Sequence, residues 1–216
     1  MNDQAFLREE MVACGLSLFE RGLAPGSSGN LSVRLDDGTM LVTPTDISLG
    51  TLTVDSIAHV DAQGAPLAGA KPSKEAFLHL AIYAARPQAR GIVHLHATHS
   101  AAVSCMGGLD PDDCLPPLTA YHVMKIGKLP LIPYHRPGDP GLAAEMRKIA
   151  AGSPAMLLAN HGPIVSGPSL RHAMNRVEEL EETAKLFLLL RGSSTRPLDQ
   201  AEIAELEAVF GAAADH

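Results

Sequence analysis

A chain of 216 residues, 46% of them hydrophobic, is long enough for one domain with a substantial core or one large α/β unit. A net charge of −7 with no long basic run argues against a nucleic-acid footprint, although a local pocket in an acidic chain can still receive an anion. No apolar run is long enough to span a bilayer, and Met1-Asn2-Asp3-Gln4 lacks the basic-then-apolar pattern of a signal peptide, so neither a membrane role nor export is expected.

Asp3 is placed to cap a first helix running to about Arg21, with Leu7, Met11, Cys14 and Leu18 as its apolar stripe and Gly22 as its stop. A Gly/Ser-rich turn, Pro25-Gly26-Ser27-Ser28-Gly29-Asn30, precedes a strand over 31–35. Asp37-Gly38 reads as a hairpin turn into a partner strand over 40–43. A strand over 57–60, turning at Gln63-Gly64, suggests a second pair. Ser73 caps a helix extending to about Arg86, and the apolar run Gly91-Ile92-Val93-His94-Leu95-His96 follows as a buried strand. A short helix begins after Thr98, and 131–134 reads as a strand. Asp139-Pro140 opens a helix that ends at Gly152. A strand over 155–159 runs into Asn160-His161-Gly162, and 164–167 leads into a long helix from about Ser169 to Arg191. Ser193, Ser194 and Pro197 form a linker to a last amphipathic helix over 199–210. Hairpins mixed with intervening helices predict one α/β domain over 1–216, a three-layer α/β/α arrangement with a central, largely antiparallel mixed sheet. GxGxxG and Walker patterns are absent, so no nucleotide cofactor is indicated. Cys14, Cys105 and Cys114 are odd in number without paired spacing, which predicts reduced thiols in the cytoplasm. Cys105 reads as a small buried packing residue in preference to a metal ligand.

The chemistry concentrates in a few segments. His94 and His96 alternate with Leu95, so on a strand they share a face, roughly 6–7 Å apart along the chain, where two imidazoles can converge on one cation. The plain alternative is a pair of histidines hydrogen-bonded near a strand end. His161, beside Gly162, is a candidate third ligand that would leave a coordination position for substrate. Glu75, in the first turn of the helix capped by Ser73, is the candidate acid/base; it reads otherwise as an ordinary exposed first-turn carboxylate that pairs with His79 one turn on. Ser73 and Lys74 bring backbone N–H groups, a hydroxyl and an ammonium to one helix start, and the Ser28-Gly29-Asn30 turn offers a second set of anion donors. Thr45 adds a hydroxyl. His59, His122, His135 and His172 read as structural or surface residues, and His99 as a helix start or a supporting group near the pair.

Five segments, Gly26-Ser27-Ser28-Gly29-Asn30-Leu31-Ser32, Thr43-Pro44-Thr45, Ser73-Lys74-Glu75, His94-Leu95-His96 and Asn160-His161-Gly162, resemble in order and spacing the class II aldolase/adducin-head family, which includes fuculose-phosphate aldolase and ribulose-phosphate 4-epimerase. The resemblance implies a zinc-type ion, one per subunit, held by His94, His96 and His161, with manganese, cobalt or iron as alternatives. It implies Glu75 as the acid/base and a substrate phosphate bound by Ser28, Gly29, Asn30, Thr45, Ser73 and Lys74. It further implies a homo-tetramer with sites at subunit interfaces. Thr45-Asp46 and Ser73-Lys74-Glu75 depart from the aldolase pattern of Thr-Gly and Ser-Ser-Glu. Residues 115–119, 134–140 and 179–185 are more similar to a subgroup that decarboxylates 3-oxo-tetronate 4-phosphates, in which Tyr121 would reach an active site. The implied reaction is loss of CO2 to give dihydroxyacetone phosphate through a metal-stabilised enediolate. Sugar-phosphate aldol or epimerase chemistry is the alternative, and a non-enzymatic adducin-like module or a metal-dependent hydrolase stands further off.

Overall fold

The structure is a computed structural model that describes residues 4–211. The expected Asp3 cap lies outside the described residues. Helix α1, Gln4–Glu20, buries Leu7, Met11, Cys14 and Leu18, the stripe legible in the sequence. Eight strands follow: β1 Asn30–Arg34, β2 Met40–Val42, β3 Ala58–Val60, β4 Pro66–Ala68, β5 Gly91–His94, β6 Leu131–Ile132, β7 Ala155–Leu158 and β8 Gly162–Gly167. They form one sheet in the order β4-β3-β2-β1-β5-β8-β7-β6, antiparallel at every junction except β6 with β7. The remaining helices are α2 Ala76–Ala85, α3 Thr98–Ser104, α4 Ala120–Lys125, α5 Pro140–Ala150, α6 Leu170–Leu189 and α7 Gln200–Phe210.

The central strands are apolar on both faces because helices cover both. Along β5, Ile92 joins the core beneath α2 and α5, while Val93 joins the core beneath α1 and α6; Ile164 and Val165 of β8 divide in the same way. Gly91 permits the close approach on the second side, since a Cβ there would sit 2.4 Å from the Leu170 backbone. The expected three-layer α/β/α architecture is therefore the observed one. No helix among the described residues is long and apolar enough to cross a membrane.

Four local expectations need correction. Helix α2 starts at Ala76, three residues after Ser73, and Glu75 is its N-cap. The cause is a tether: Ser73 N–H donates to Thr43 O, and Pro44 bridges Pro72, so residues 72–74 are held against the end of β2 and enter the helix late. β5 ends at His94, so His96 lies beyond the strand. β6 has two residues because its pairing to β7 is limited to Leu131 and Ile132. Cys105 is exposed, being the residue at which α3 ends.

His122 of α4 is fully buried, and burial pushes its pKa from 6.5 down to about 4. The folded state holds it neutral and the unfolded state protonates it first, so its contribution is complete above about pH 6.5 and is lost as pH falls toward about 4. Across that window the thermal unfolding midpoint of wild type should fall relative to that of His122→Leu as pH drops, the wild type losing up to about 1.4 kcal/mol per pH unit. Parallel curves would show that His122 carries no acid lability.

Candidate active site

The histidines and Glu75 meet where β1, β5 and β8 end. His94 is the last residue of β5, registered against Asn30 of β1 and Ile164 of β8, and it is fully buried. Its Nδ1 donates to Pro163 O at 2.8 Å, and since a carbonyl only accepts, the proton sits on Nδ1 and the Nε2 lone pair faces the site. His161 sits on the tight turn between β7 and β8, with Asn160 in the left-handed region at φ 55°. Its backbone N–H donates to Ser104 Oγ, and Asn160 N–H donates to Ser104 O, so the end of α3 clamps this turn. Gly162 lets the turn lie against the histidine segment: a Cβ there would come 2.3 Å from Leu95 O. Gly29, at φ 78°, performs the same service on the other side, where a Cβ would meet His94 O at 2.9 Å.

The result is three Nε2 atoms turned toward one another. His161 Nε2 is 3.3 Å from His94 Nε2 and 2.9 Å from His96 Nε2. Glu75 spans the gap, with Oε2 3.4 Å from His94 Nε2 and Oε1 3.3 Å from His161 Nε2. All four donor atoms lie within 4.8 Å of one another. Burial is the main cause that pushes His94 down to about 4, with Glu75 opposing, and burial also lowers His96. Burial alone would raise the Glu75 carboxyl, but His94, His161 and a hydrogen bond from Asn30 outweigh it and hold the group well below the usual carboxylate range. His94, with its Nε2 lone pair facing the site, and a carboxylate kept ionised leave an acceptor and a negative charge side by side, and a cation would satisfy both. The spacing fits: imidazole nitrogens bound tetrahedrally at about 2.0–2.1 Å are about 3.3 Å apart. The expected trio is therefore brought together, with Glu75 as a fourth donor in reach.

Beside this cluster is a cavity of about 250 Å³ whose lining includes Ser28, Gly29, Asn30, Thr45, Ser73, Lys74, Glu75 and His96. Every expected substrate-binding residue is thus on its wall. Lys74 is the only Lys or Arg among the described residues that line it, and its Nζ lies 3.4 Å from Asp46 Oδ1. The donors differ from expectation in one respect. Ser73 N–H is taken by Thr43 O and Glu75 N–H by Ser73 Oγ, so this corner presents the Ser73 hydroxyl and the Lys74 ammonium in place of a row of free amides. A larger cavity of about 460 Å³ lies at the opposite ends of β1 and β5, beside Arg34 and Arg90, and none of the cluster residues lines it.

Tyr121 is not brought to the cluster. It is 60% exposed on α4 with Lys125 Nζ 5.3 Å from its ring centroid. His79 does not pair with Glu75; it is buried between Asn30 and Ser32. His99 bonds Glu181, a buried carboxylate that also accepts from the Ser100 N–H and hydroxyl. Glu181 and Ser104, which hold the loop after His96 and the turn at His161, escaped the sequence reading because neither shows a distinctive spacing.

The model of the class II aldolase and adducin N-terminal domain matches residues 9–188. The chain is 50% identical over 200 residues to the 3-oxo-tetronate 4-phosphate decarboxylase of Haemophilus influenzae, covering 93% of this chain and 95% of that protein. It is 33% identical over 192 residues to the L-fuculose phosphate aldolase of the same organism, covering 87% and 85%. The crystal structure of YgbL from Klebsiella pneumoniae superposes with a TM-score of 0.93 at 48% identity, covering 95% of this chain and all of that one (100%).

Elemental analysis of purified, metal-replete protein should find one divalent cation per chain. His94→Ala should bind it at least about a hundredfold more weakly while keeping the wild-type circular dichroism spectrum. Equal metal content in the two proteins would place the cation elsewhere.

Proposed function

The chain belongs to the class II aldolase and adducin N-terminal domain family, a family of metal-dependent lyases among its enzymes, and on that premise we propose that it decarboxylates a 3-oxo-tetronate 4-phosphate to dihydroxyacetone phosphate and CO2. The observation that carries the reading is the convergence of His94, His96, His161 and Glu75 beside a cavity furnished for an anion. Half-identity over more than nine-tenths of the chain to proteins named for this reaction supports it.

Such a substrate carries a carboxylate, a C2 hydroxyl, a C3 ketone and a terminal phosphate. Ser28, Gly29, Asn30, Thr45, Ser73 and Lys74 hold the phosphate, which orients the C2–C3 unit toward the cluster. A zinc-type cation held by His94, His96 and His161, with manganese, cobalt or iron as alternatives, supplies Lewis-acid stabilisation of charge developing on the C2 and C3 oxygens. As the C1–C2 bond breaks, its electron pair passes into C2=C3 and onto the C3 oxygen. Glu75, ionised at rest, takes the C2 hydroxyl proton and returns it to C2. Water then reprotonates the C2 oxygen, so the net reaction consumes one proton. The same electron arrangement is reached by cleaving a different carbon–carbon bond, which is why aldolase or epimerase chemistry is the second reading, supported by the identity to L-fuculose phosphate aldolase.

The reading takes the whole chain as one domain, working in the cytoplasm, where the free Cys14, Cys105 and Cys114 stay reduced. It assigns a homo-tetramer with sites at subunit interfaces, and the exposed Tyr121 then serves a neighbouring chain's site. Exposed Tyr134, Leu189, Val209 and Phe210 offer apolar area for such contacts.

Stoichiometric CO2 and dihydroxyacetone phosphate from 3-oxo-tetronate 4-phosphate should appear with wild type, and Glu75→Gln should lower kcat by about 10²- to 10⁴-fold. Metal-loaded protein that releases no CO2 yet condenses dihydroxyacetone phosphate with an aldehyde would replace the first reading by the second. Lys74→Ser should raise KM and weaken inhibition by a phosphate-bearing product analogue in parallel. Loss of kcat with inhibitor binding intact would instead assign Lys74 to the departing carboxylate.

A further inference from the structure

Glu75, His79 and Tyr83 follow one another at four-residue intervals across the start of α2 and along it, so they share one face of the helix. Asn30 and Ser32 alternate on β1 and share the face that meets it. The two rows interlock: Asn30 Nδ2 to Glu75 Oε2 is 2.7 Å, Asn30 Oδ1 to His79 Nε2 is 2.6 Å, His79 Nδ1 to Ser32 Oγ is 2.7 Å, and Ser32 Oγ to Tyr83 Oη is 2.9 Å. His79 and Ser32 are fully buried and Asn30 is nearly so.

We propose that His79 is a positioning residue for Glu75, acting through Asn30 as a neutral imidazole fixed in its Nε2–H tautomer. The proposal rests on the reading of Glu75 as the group that moves the proton. The assignment follows from donors and acceptors alone. An ionised carboxylate only accepts, so Asn30 turns its amide nitrogen to Glu75 and its oxygen to His79. That oxygen needs an N–H, so His79 Nε2 carries the proton. Nδ1 of a neutral ring is then an acceptor, and the Ser32 hydroxyl donates to it.

The opposite arrangement is self-consistent in the core and wrong at the site. With the proton on Nδ1, the ring would donate to Ser32 and offer a lone pair to Asn30, whose amide would rotate and set its oxygen against the Glu75 carboxylate. The tautomer of one buried ring thus decides whether Glu75 meets a donor or a second acceptor. Burial, with His94 adding to it, pushes His79 down to about 3, so the ring stays neutral near neutral pH. An apolar residue would pack this position as well as its neighbours Leu78 and Ile82 do, whereas a buried polar chain is stable only when every member is satisfied.

Two measurements test the proposal. Nitrogen-15 chemical shifts of the ring in full-length, zinc-loaded protein should show His79 neutral and protonated at Nε2; a proton on Nδ1 would overturn it, whatever the turnover. For kinetics, His79→Gln places an amide N–H near the Nε2 position, while His79→Asn reaches only the Nδ1 position. His79→Asn should lose roughly tenfold to a hundredfold in kcat with KM little changed, and His79→Gln should recover most of that loss. Equal kcat in the two variants per folded, zinc-loaded site would reduce His79 to packing. If neither variant folds, the ring shifts of the wild type decide. Failure of the decarboxylase reading would show in wild-type turnover, which the tautomer measurement does not require.

Discussion

Three imidazole Nε2 atoms crowded together beside an ionised carboxylate are unstable company in a protein interior. His94 in particular has no exposed surface. Its Nδ1 proton is committed to Pro163 O, so it cannot turn a donor toward His161. A positive charge at the centre would relieve the arrangement, and the nitrogen separations of 2.9 and 3.3 Å are compatible with one. Were a cation bound there, folding into this geometry and binding it would be linked free energies.

The sheet supplies this preparation through register. Asn30 and His94 face each other across β1 and β5, and Ile164 faces His94 across β5 and β8, so the site sits at the end of the three central strands. Glycines then allow the loops to close over those ends: Gly29 and Gly162 each lie against the His94–His96 segment where a side chain would collide. Ser104 and Glu181, from α3 and α6, fix the loops from behind by bonding backbone N–H groups that a strand or helix would otherwise have to satisfy. The cavity wall that carries Ser73 and Lys74 comes from the other side of the sheet end, where residues 72–74 are tied to β2 before α2 begins.

Much of this was legible in the chain. The hydrophobic stripe of α1, the hairpin at Asp37-Gly38 and the buried run ending in His94 all express local patterns that tertiary packing did not override. The histidine trio and Glu75 were legible chiefly through the order and spacing of the five family-like segments, since each residue taken alone also has a plain structural reading. The start of α2 was not. Ser73 is a good cap by type, but its N–H is spent on Thr43, which lies thirty positions earlier, and no local rule reports such a bond. The partner of His79 was hidden for the same reason: helical spacing suggests Glu75, while the fold offers Asn30 and Ser32 from β1. Tyr121 was expected near a site from family resemblance alone, no local pattern places it there, and it lies exposed on α4.

If one site both binds the metal and turns over substrate, CO2 release during titration of zinc into chelator-stripped protein tests that most directly. The rate from 3-oxo-tetronate 4-phosphate should rise in proportion to zinc bound, reach its plateau at one equivalent per chain, and stay flat beyond it. Turnover that is independent of occupancy, or that needs a second equivalent to begin, would contradict the assignment of the reaction to the His94, His96, His161 and Glu75 cluster.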